Sequence, residues 1–541
     1  MTRSSYVTLI VGVATSAALA TAAAIFAAQP PSAPATAAAT SSSTESKPDP
    51  RDVSQLVGVS SCAASGCHGG SKPLPGSTEP DVQAAWRSSY VVWATSDPHA
   101  RAYQTLKSPA SEAIVRKLAR KSADEKFDMT AIIEVSCTGC HATATPINPG
   151  QLVGHPPAET ARLQSIAADG IGCESCHGPA KKWLGEHFTV RTAERLSVRA
   201  GVAKSEKERL AELGMLDTDN LKVQAETCVR CHVGDRSGDR MGRDMNHDMI
   251  AAGHPPLNFE FAAYKARMPR HWAEPKEPAL RADKELRTWQ VGQLTSAAAA
   301  QRLSSSRYEA VHSSTPMFFP TATWPEFSEH ACYRCHHALR SGSTADVTPQ
   351  QQFALARKKA SQFDTAKYPL GPSNLWHRSQ ADAIMKPYDE AARKHAEQQQ
   401  GPGTQNDEEE VTESPMRQLA ARFTKVAAEI AATPSDASPR RLSELLGKTA
   451  QSAADKPLVW EEATQAYLGC VAIYRARRAA AGLPLDKIDD EAGRILKQLY
   501  GALRFDKPGE RRFNSPADYD PAAIQGLFEK LAAAAREGVA P

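Results

Sequence analysis

Five motifs with two cysteines followed by a histidine are spread over the first two thirds of this 541-residue chain. In four motifs two residues separate the cysteines, and in the first motif four small residues do. A C-x-x-C-H run attaches c-type haem, because its two thiols form thioethers with the vinyl groups and its histidine binds the iron. The motifs therefore predict about five haem c groups. The attachment residues are Cys62, Cys67 and His68; Cys137, Cys140 and His141; Cys173, Cys176 and His177; Cys228, Cys231 and His232; and Cys332, Cys335 and His336.

Zinc knuckles and disulfide frameworks also use paired cysteines. Zinc would require the pairs to combine two by two, and it would not require a histidine directly after each second cysteine. The repeated histidine favours haem. The motifs use ten of the eleven cysteines, and the remaining one, Cys470, lies in an apolar helical stripe that predicts a buried thiol.

Composition excludes some classes of partner. The formal net charge is +3, without the concentrated basic stripe that a nucleic-acid-binding protein requires. Haem propionates would move the loaded protein towards a neutral or acidic charge. We therefore expect neither DNA nor lipid headgroups as partners. Aromatic residues make up only 6% of the chain, and porphyrin rings would supply the missing apolar core.

The amino terminus has the layout of a secretory signal peptide. In residues 1–28, Arg3 precedes an uncharged apolar stretch that is also long enough for an uncleaved membrane anchor. Both interpretations place the mature chain in the periplasm or another extracytoplasmic compartment, where thioether attachment takes place. The anchor interpretation adds a membrane tether. An Ala/Pro/Ser/Thr-rich linker follows over residues 29–54.

The pattern predicts a mainly α fold with little β-structure, since no extended alternation of apolar and polar residues occurs. We expect a five-haem domain at 55–340, a helical connector at 341–400, a flexible linker at 401–415 and a C-terminal helical region at 416–541.

In the C-terminal helical region, Asp520 and Pro521 predict a helix start. Its apolar stripes are interpreted as core, and a docking face for a partner subunit is the second interpretation. The stripes are Leu419, Phe423, Val426 and Ile430; Trp460, Tyr467, Val471 and Tyr474; Ile495, Leu499 and Leu503; and Ile524, Phe528 and Leu531.

The sixth ligand of each iron determines whether that haem transfers electrons or binds substrate. An iron held by two imidazoles is saturated and transfers electrons only. Asp97 and Pro98 predict a cap and a helix start that would hold His99 rigidly. His155 and His254 lie in two copies of the tetrapeptide GHPP. The predicted distal ligands are His99, His187, His247, His254 and His155. Lower-ranked candidates are His271, His312, His330, His337, Met245 and Met249.

Five stretches resemble the cytochrome c-554 family: VGVSSCAASGCHGG, DPHARAYQTL, DGIGCESCHGPAKKWLGEH, NHDMIAAGHPPLNFE and WPEFSEHACYRCHHAL. The resemblance covers about residues 55–340. It implies a largely helical periplasmic electron carrier with haems in parallel and perpendicular pairs, most of them bis-histidine and one sometimes without a sixth ligand. It also implies His99, His187, His247 and His254 as distal ligands. The chain departs from the family in having five motifs rather than four, a longer first spacing and about 200 additional carboxyl-terminal residues.

Electron transfer between redox partner proteins is the leading functional hypothesis. One alternative is a haem enzyme whose open axial site acts on a small nitrogen or sulfur compound. Another is an electron-transfer subunit of a larger redox complex, docked through the C-terminal region. The sequence contains no recognisable set of catalytic residues.

Overall fold

Helices account for the regular structure of this protein. A computed structural model describes residues 53–72, 80–122, 124–144, 156–189, 205–236, 243–312, 324–330, 374–399, 414–485, 487–504 and 519–537. Within these ranges no β-strand forms, and an isolated bridge joins Asp235 to Arg243. The prediction of a mainly α fold is confirmed.

Short helices joined by irregular loops form the region that carries the cysteine motifs. Side-chain caps fix several of their starts: Asp97 accepts the His99 N–H with Pro98 in the first turn, as predicted, and Asn246 caps the helix that begins at His247. The α-helices are α1 (Pro80–Arg87), α2 (Ser89–Ser96), α3 (Ala102–Thr105), α4 (Pro109–Leu118), α5 (Thr130–Ser136), α6 (Thr138–His141), α7 (Pro157–Ala168), α8 (Cys173–His177), α9 (Glu186–Thr189), α10 (Glu206–Glu212), α11 (Leu221–His232), α12 (His247–Ala252) and α13 (Phe261–Arg267). Four 3₁₀ turns lie at Val53–Gln55, Val59–Cys62, Pro98–Arg101 and Phe327–Glu329.

Apart from the four-residue α15, the helices in the rest of the described chain are longer. They are α14 (Pro278–His312), α15 (Leu375–Arg378), α16 (Ala381–Gln399), α17 (Pro415–Ala432), α18 (Pro439–Ala454), α19 (Trp460–Ala480), α20 (Glu491–Leu503) and α21 (Pro521–Glu537). Ser414 caps α17, so this helix begins one residue before the predicted start of the C-terminal region. Asp520 accepts the N–H groups of Ala522 and Ala523 and caps α21, as predicted.

The 35-residue helix α14 connects the motif-bearing region to the C-terminal helices. It packs against α11 and α13, and also against α17 and α19. Helix α18 packs against α19 and α21. One hydrophobic core therefore runs from Leu221 in α11 to Ala535 in α21. The predicted separation of a haem domain at 55–340 from a helical region at 416–541 stays a prediction, and the two share this core.

The apolar stripes of the C-terminal region lie in that core, which confirms their interpretation as packing residues. Phe423, Leu499 and Phe528 are fully buried, and Trp460 donates its ring N–H to the Leu503 carbonyl. Cys470 is also fully buried, and burial raises the pKa of its thiol above the ordinary range. The thiol is therefore a packing group, as predicted.

No helix among the described residues is both long and apolar enough to cross a lipid bilayer. The predicted signal peptide or anchor at 1–28 lies outside the described residues, as do residues 29–52 of the predicted linker. Residues 401–413 of the second predicted linker also lie outside them.

Candidate haem sites

A cavity of about 1770 Å³ lies among the short helices. Cysteines and histidines of the second, third and fourth motifs line it, and its walls are mainly apolar. His99, His254 and His271 line the same cavity. A mostly apolar cavity with a few convergent metal-binding groups is the environment that a porphyrin requires.

Local helical structure explains how each motif presents its groups. Residues three and four apart share one helix face, so the two thiols and the histidine of a C-x-x-C-H run point the same way. The third motif forms α8, and the fourth forms the last turn of α11. Gly178 ends α8 with a φ of +84°, a conformation that favours glycine. A β-carbon at Gly178 would also lie only 2.3 Å from the Gly214 carbonyl oxygen.

The longer first motif forms a small loop. Cys62 ends a 3₁₀ turn, and the His68 N–H donates back to the Cys62 carbonyl at 3.3 Å. The Cys67 N–H donates to the Ala64 carbonyl at 2.8 Å. The two additional residues are therefore accommodated in a hydrogen-bonded turn.

Three motif histidines each face a second imidazole. The ring centroids of His68 and His187 are 6.3 Å apart with nearly parallel planes, 6° from each other. The centroids are 6.4 Å apart for His141 and His254, and 6.1 Å apart for His99 and His232. A metal–imidazole bond is about 2 Å long and its nitrogen lies about 1 Å from the ring centre, so two rings on opposite sides of one ion have centroids roughly 6 Å apart. The three pairs fit an iron between them.

His177 of the third motif has a looser relation to His271. Both rings line the cavity, and they interact electrostatically with each other and with His68. A hydrogen bond to the Pro269 carbonyl holds the His271 ring. His271 is therefore a candidate for the second imidazole of the third motif, although it is one of the lower-ranked candidates on sequence evidence.

Oxygen atoms hold Nδ1 of five histidines, so a metal would bind at Nε2. Such a partner fixes the ring orientation and the tautomer of a metal ligand. The Nδ1···O distances are 2.8 Å from His68 to Trp86, 2.9 Å from His99 to Asp97, 2.9 Å from His141 to Ala102, 2.6 Å from His187 to Leu184 and 2.8 Å from His254 to Pro255. Asp97 contributes a carboxylate oxygen, and the other partners contribute backbone carbonyls.

Burial keeps several of these imidazoles in the neutral form that binds metals. It lowers the pKa of His177 and of His232 to about 4, and it lowers the pKa of His141. The pKa of His99 is instead raised, because its side chain is hydrogen bonded to the Asp97 carboxylate. A carboxylate–histidine pair of this kind strengthens the imidazole as a ligand.

Cysteines of different motifs lie side by side. The thiols of Cys62 and Cys173 perturb each other electrostatically, which brings the first and third motifs together. The Cys140 sulfur lies 3.9 Å from the Cys231 carbonyl oxygen, and the Cys231 sulfur lies 3.9 Å from the Gly139 carbonyl oxygen. The second and fourth motifs therefore touch through their second cysteines.

A buried carboxylate fixes the contact between the first and third motifs. Glu174 lies inside the third motif and is only 6% exposed. Its oxygens accept the N–H groups of Val57 at 3.0 Å, Gly58 at 2.8 Å and Ala180 at 2.7 Å. These bonds tie the segment before Cys62 to α8.

The fifth motif, Cys332, Cys335 and His336, lies outside the described residues, as do His155 and His337. Residues 324–330, which precede the motif in the sequence, contact His247. The His247 ring lies 5.8 Å from Phe327, and its backbone N–H donates to Glu326 at 2.7 Å. Among the described residues, His247 contacts no motif histidine.

An ion cluster anchors this segment to α14. Arg307 is 2% exposed, and its guanidinium binds Glu329 and Asp244, each at 2.5 Å. Arg236 also binds Asp244. These buried charges join three separate stretches of the chain beside His247.

Part of the motif-bearing region matches a known protein family. Residues 83–178 match the family described as cytochrome c554 and c-prime. No match to the chain was found among the curated proteins or among the solved structures. The matched segment contains His99 and the second and third motifs, so the cytochrome c-554 resemblance rests on residues that also line the cavity. The match supports a c-type cytochrome of the electron-carrier kind, with haem c as its cofactor.

The cavity also contains three of the lower-ranked ligand candidates. His271 occurs in the segment MPRHW, which has no motif around it. Met245 and Met249 line the cavity as well. His312, another lower-ranked candidate, is exposed and stacks on Tyr308, with ring centroids 4.1 Å apart. Sequence spacing does not distinguish His271 from His312, because only the fold brings the former to the cavity.

Proposed function

We propose that this chain is an extracytoplasmic multihaem c-type cytochrome that relays electrons between redox partner proteins through about five covalently attached haems. The observation that carries the proposal is the set of three imidazole pairs at 6.1–6.4 Å, each containing one motif histidine. When bound, haem supplies a one-electron ferric/ferrous couple. The residues of the chain hold it, orient its ligands and exclude water.

We assign the ligand pairs as His68 with His187, His141 with His254, and His232 with His99. For the third motif we propose His177 with His271, on the basis of their shared cavity and electrostatic interaction. For the fifth motif we propose His247 as the distal ligand. Its ring contacts Phe327, and the fifth motif begins only five residues after Phe327.

Contacts between motifs support a relay. The attachment cysteines of motifs one and three interact electrostatically, and those of motifs two and four are in contact. Groups anchored at touching cysteines lie close together, which favours electron transfer from one to the next. An isolated catalytic haem would not require four motifs packed in this way.

Electron transfer is favoured over catalysis at the four described motifs. Each motif histidine faces a second imidazole or has one nearby in the cavity, so a bound iron would have both axial positions filled. A saturated iron binds substrate only after it loses a ligand. The proposal therefore gives these motifs no substrate site.

Electron paramagnetic resonance of the oxidised, purified holoprotein tests this proposal. We expect low-spin ferric signals and no change on addition of nitric oxide. A high-spin signal that nitric oxide alters would support the enzyme alternative instead. The mass of the mature protein should show about five haems, and replacement of Cys67 by Ser should remove one covalent attachment. A colourless protein of apoprotein mass would refute the proposal.

The periplasmic location and the docking role of the C-terminal region are further parts of this proposal. Cell fractionation tests the first, and recovery of the holoprotein in the cytoplasm would contradict it. Cross-linking of the full-length holoprotein in its native cells tests the second. Cross-links to a redox protein through helices α17–α21 would support a subunit role, and cross-links restricted to the motif-bearing region would contradict it.

A further inference from the structure

Lys265 projects from α13 into the wall of the large cavity. Cys228, Tyr264 and Trp272 line the same cavity. The Lys265 ammonium lies 5.7 Å from the Phe261 ring centre and 5.9 Å from the Trp272 ring centre. Its electrostatic interaction with Cys228 places it beside the fourth motif.

The hydrogen-bond partner of this ammonium is neutral. Lys265 Nζ donates to Gln224 Oε1 at 2.6 Å, and no carboxylate among the described residues lies within ion-pair distance. Neighbouring cations differ in this respect: Lys284 pairs with Glu274 at 3.0 Å, and Arg287 pairs with Asp283 at 2.5 Å. Burial lowers the pKa of Lys265 to about 8, and the nearby Lys284 lowers it further, whereas the charges of Glu274, Cys228 and Glu285 raise it without forming a direct ion pair.

A partly buried cation without a direct ion pair is stabilised by an anionic partner, because desolvation without compensation is costly. An ammonium has three donors, and Gln224 uses one of them. The Gln224 amide binds through its oxygen, so its NH₂ group retains donors of its own. Together the two side chains offer a positive charge and several N–H donors, which is the complement of a carboxylate.

We infer that Lys265 and Gln224 form the binding site for a carboxylate of a haem held in this cavity. The inference rests on the proposed function and deepens it by assigning a propionate partner in the wall of the cavity. Lys265 is a positioning residue that acts on the haem through its propionate. Its positive charge disfavours the ferric state and thereby raises the reduction potential of that haem.

Redox titration of the holoprotein tests this role. The variants are Lys265→Met, which removes the charge, and Lys265→Arg, which keeps it. Lys276→Met is the matched control, since Lys276 is an exposed lysine paired with Asp81 at the surface. We expect Lys265→Met to change the one-electron reduction equilibrium of one haem about tenfold, which lowers its reduction potential by roughly 59 mV. Lys265→Arg should leave the reduction potential of that haem close to its value in the unmodified protein. Lys276→Met should leave the reduction potentials of all haems unchanged.

Two further measurements complete the test. If Lys265→Met does not assemble, Lys265→Gln keeps a polar stem of similar length and must give the same lowering. Redox titration of the unmodified protein in phosphate and in Tris chloride shows whether the anion at Lys265 is a haem propionate or a free anion from the buffer. Midpoints that agree in both buffers support the propionate, and midpoints that depend on phosphate overturn it.

The failure of this inference is distinguishable from failure of the proposed function. Haem content is measured first on every variant by the pyridine haemochrome spectrum. Absence of haem from the unmodified protein refutes the proposed function. Normal haem content with midpoints that are the same in Lys265→Met and Lys276→Met refutes the role of Lys265 alone.

Discussion

Replacement of His99 by Ala is a direct test of the ligand pairs. The His99 ring lies 6.1 Å from His232, with an angle of 80° between the planes, and the Asp97 carboxylate fixes its Nδ1 at 2.9 Å. We expect the variant to retain its covalent haem, because the thioethers form at Cys228 and Cys231. The iron at His232 would lose its second imidazole and become high-spin.

The magnitude of this change follows from the number of motifs. One of five motifs is affected, so about one fifth of the ferric intensity should move from low-spin to high-spin signals. Loss of an outer hydrogen-bond partner of a metal ligand typically costs 10–100-fold in affinity. Replacement of Asp97 by Ala should therefore keep the iron low-spin at rest, while external ligands should displace His99 about 10–100-fold more readily.

Electron paramagnetic resonance and optical titration with carbon monoxide measure these effects. His312 provides the control, because its Nδ1 also donates to a carbonyl, that of Tyr308 at 2.8 Å, yet its ring stacks on a tyrosine. His312→Ala should leave all signals low-spin. An unchanged low-spin spectrum in His99→Ala, or the same high-spin signal in His312→Ala, would refute the assigned pair.

Three further predictions concern stability and are measured by denaturant unfolding of the holoprotein. Arg307→Met removes the ion-pair partner of the buried Glu329 and one of the two partners of Asp244, and should cost about 3–5 kcal/mol. Replacement of the half-exposed Arg417, which pairs with Glu309, by Met should cost at most about 1 kcal/mol, and equal losses would contradict the role of burial. Phe528→Ala should cost about 3–5 kcal/mol, because its ring is fully buried, and a loss near zero would mean that the C-terminal core is wrongly described. Glu174→Gln should cost about 1–3 kcal/mol, because its carboxylate accepts three backbone N–H groups, and unchanged stability would argue against that site.

The stability of the ion cluster should depend on pH. Burial by itself would raise the pKa of Asp244, but Arg307 and Arg236 outweigh it and leave that pKa lowered. A carboxylate with a depressed folded-state pKa stabilises fully above its ordinary value near 3.9 and loses this contribution as the pH falls through the folded value. Acid unfolding should therefore be less steep in Asp244→Asn than in the unmodified protein below about pH 4. Identical acid profiles would contradict this linkage.

The amino-acid sequence was sufficient to locate attachment chemistry and helical packing. A C-x-x-C-H run carries its thiols and its histidine on one helical turn, so residues such as Cys173, Cys176 and His177 can be recognised without any tertiary contact. The apolar stripe that contains Phe423 and the cap at Asp520 are also local patterns, and the structure confirms both. Each of these features depends on residues within a few positions of one another.

Pairing of the imidazoles depended on the fold alone. His99 meets His232 across 133 positions and His68 meets His187 across 119 positions, and no local pattern encodes separations of this size. His271 and Lys265 show the same limit, since neither lies in a motif and only the packing of α13 and its neighbours brings them to the cavity. The sequence by itself identified the residues that we predict to bond covalently to haem, because that chemistry is local. The tertiary structure decided which distant side chains complete each site, because contacts between distant segments form only when the helices pack.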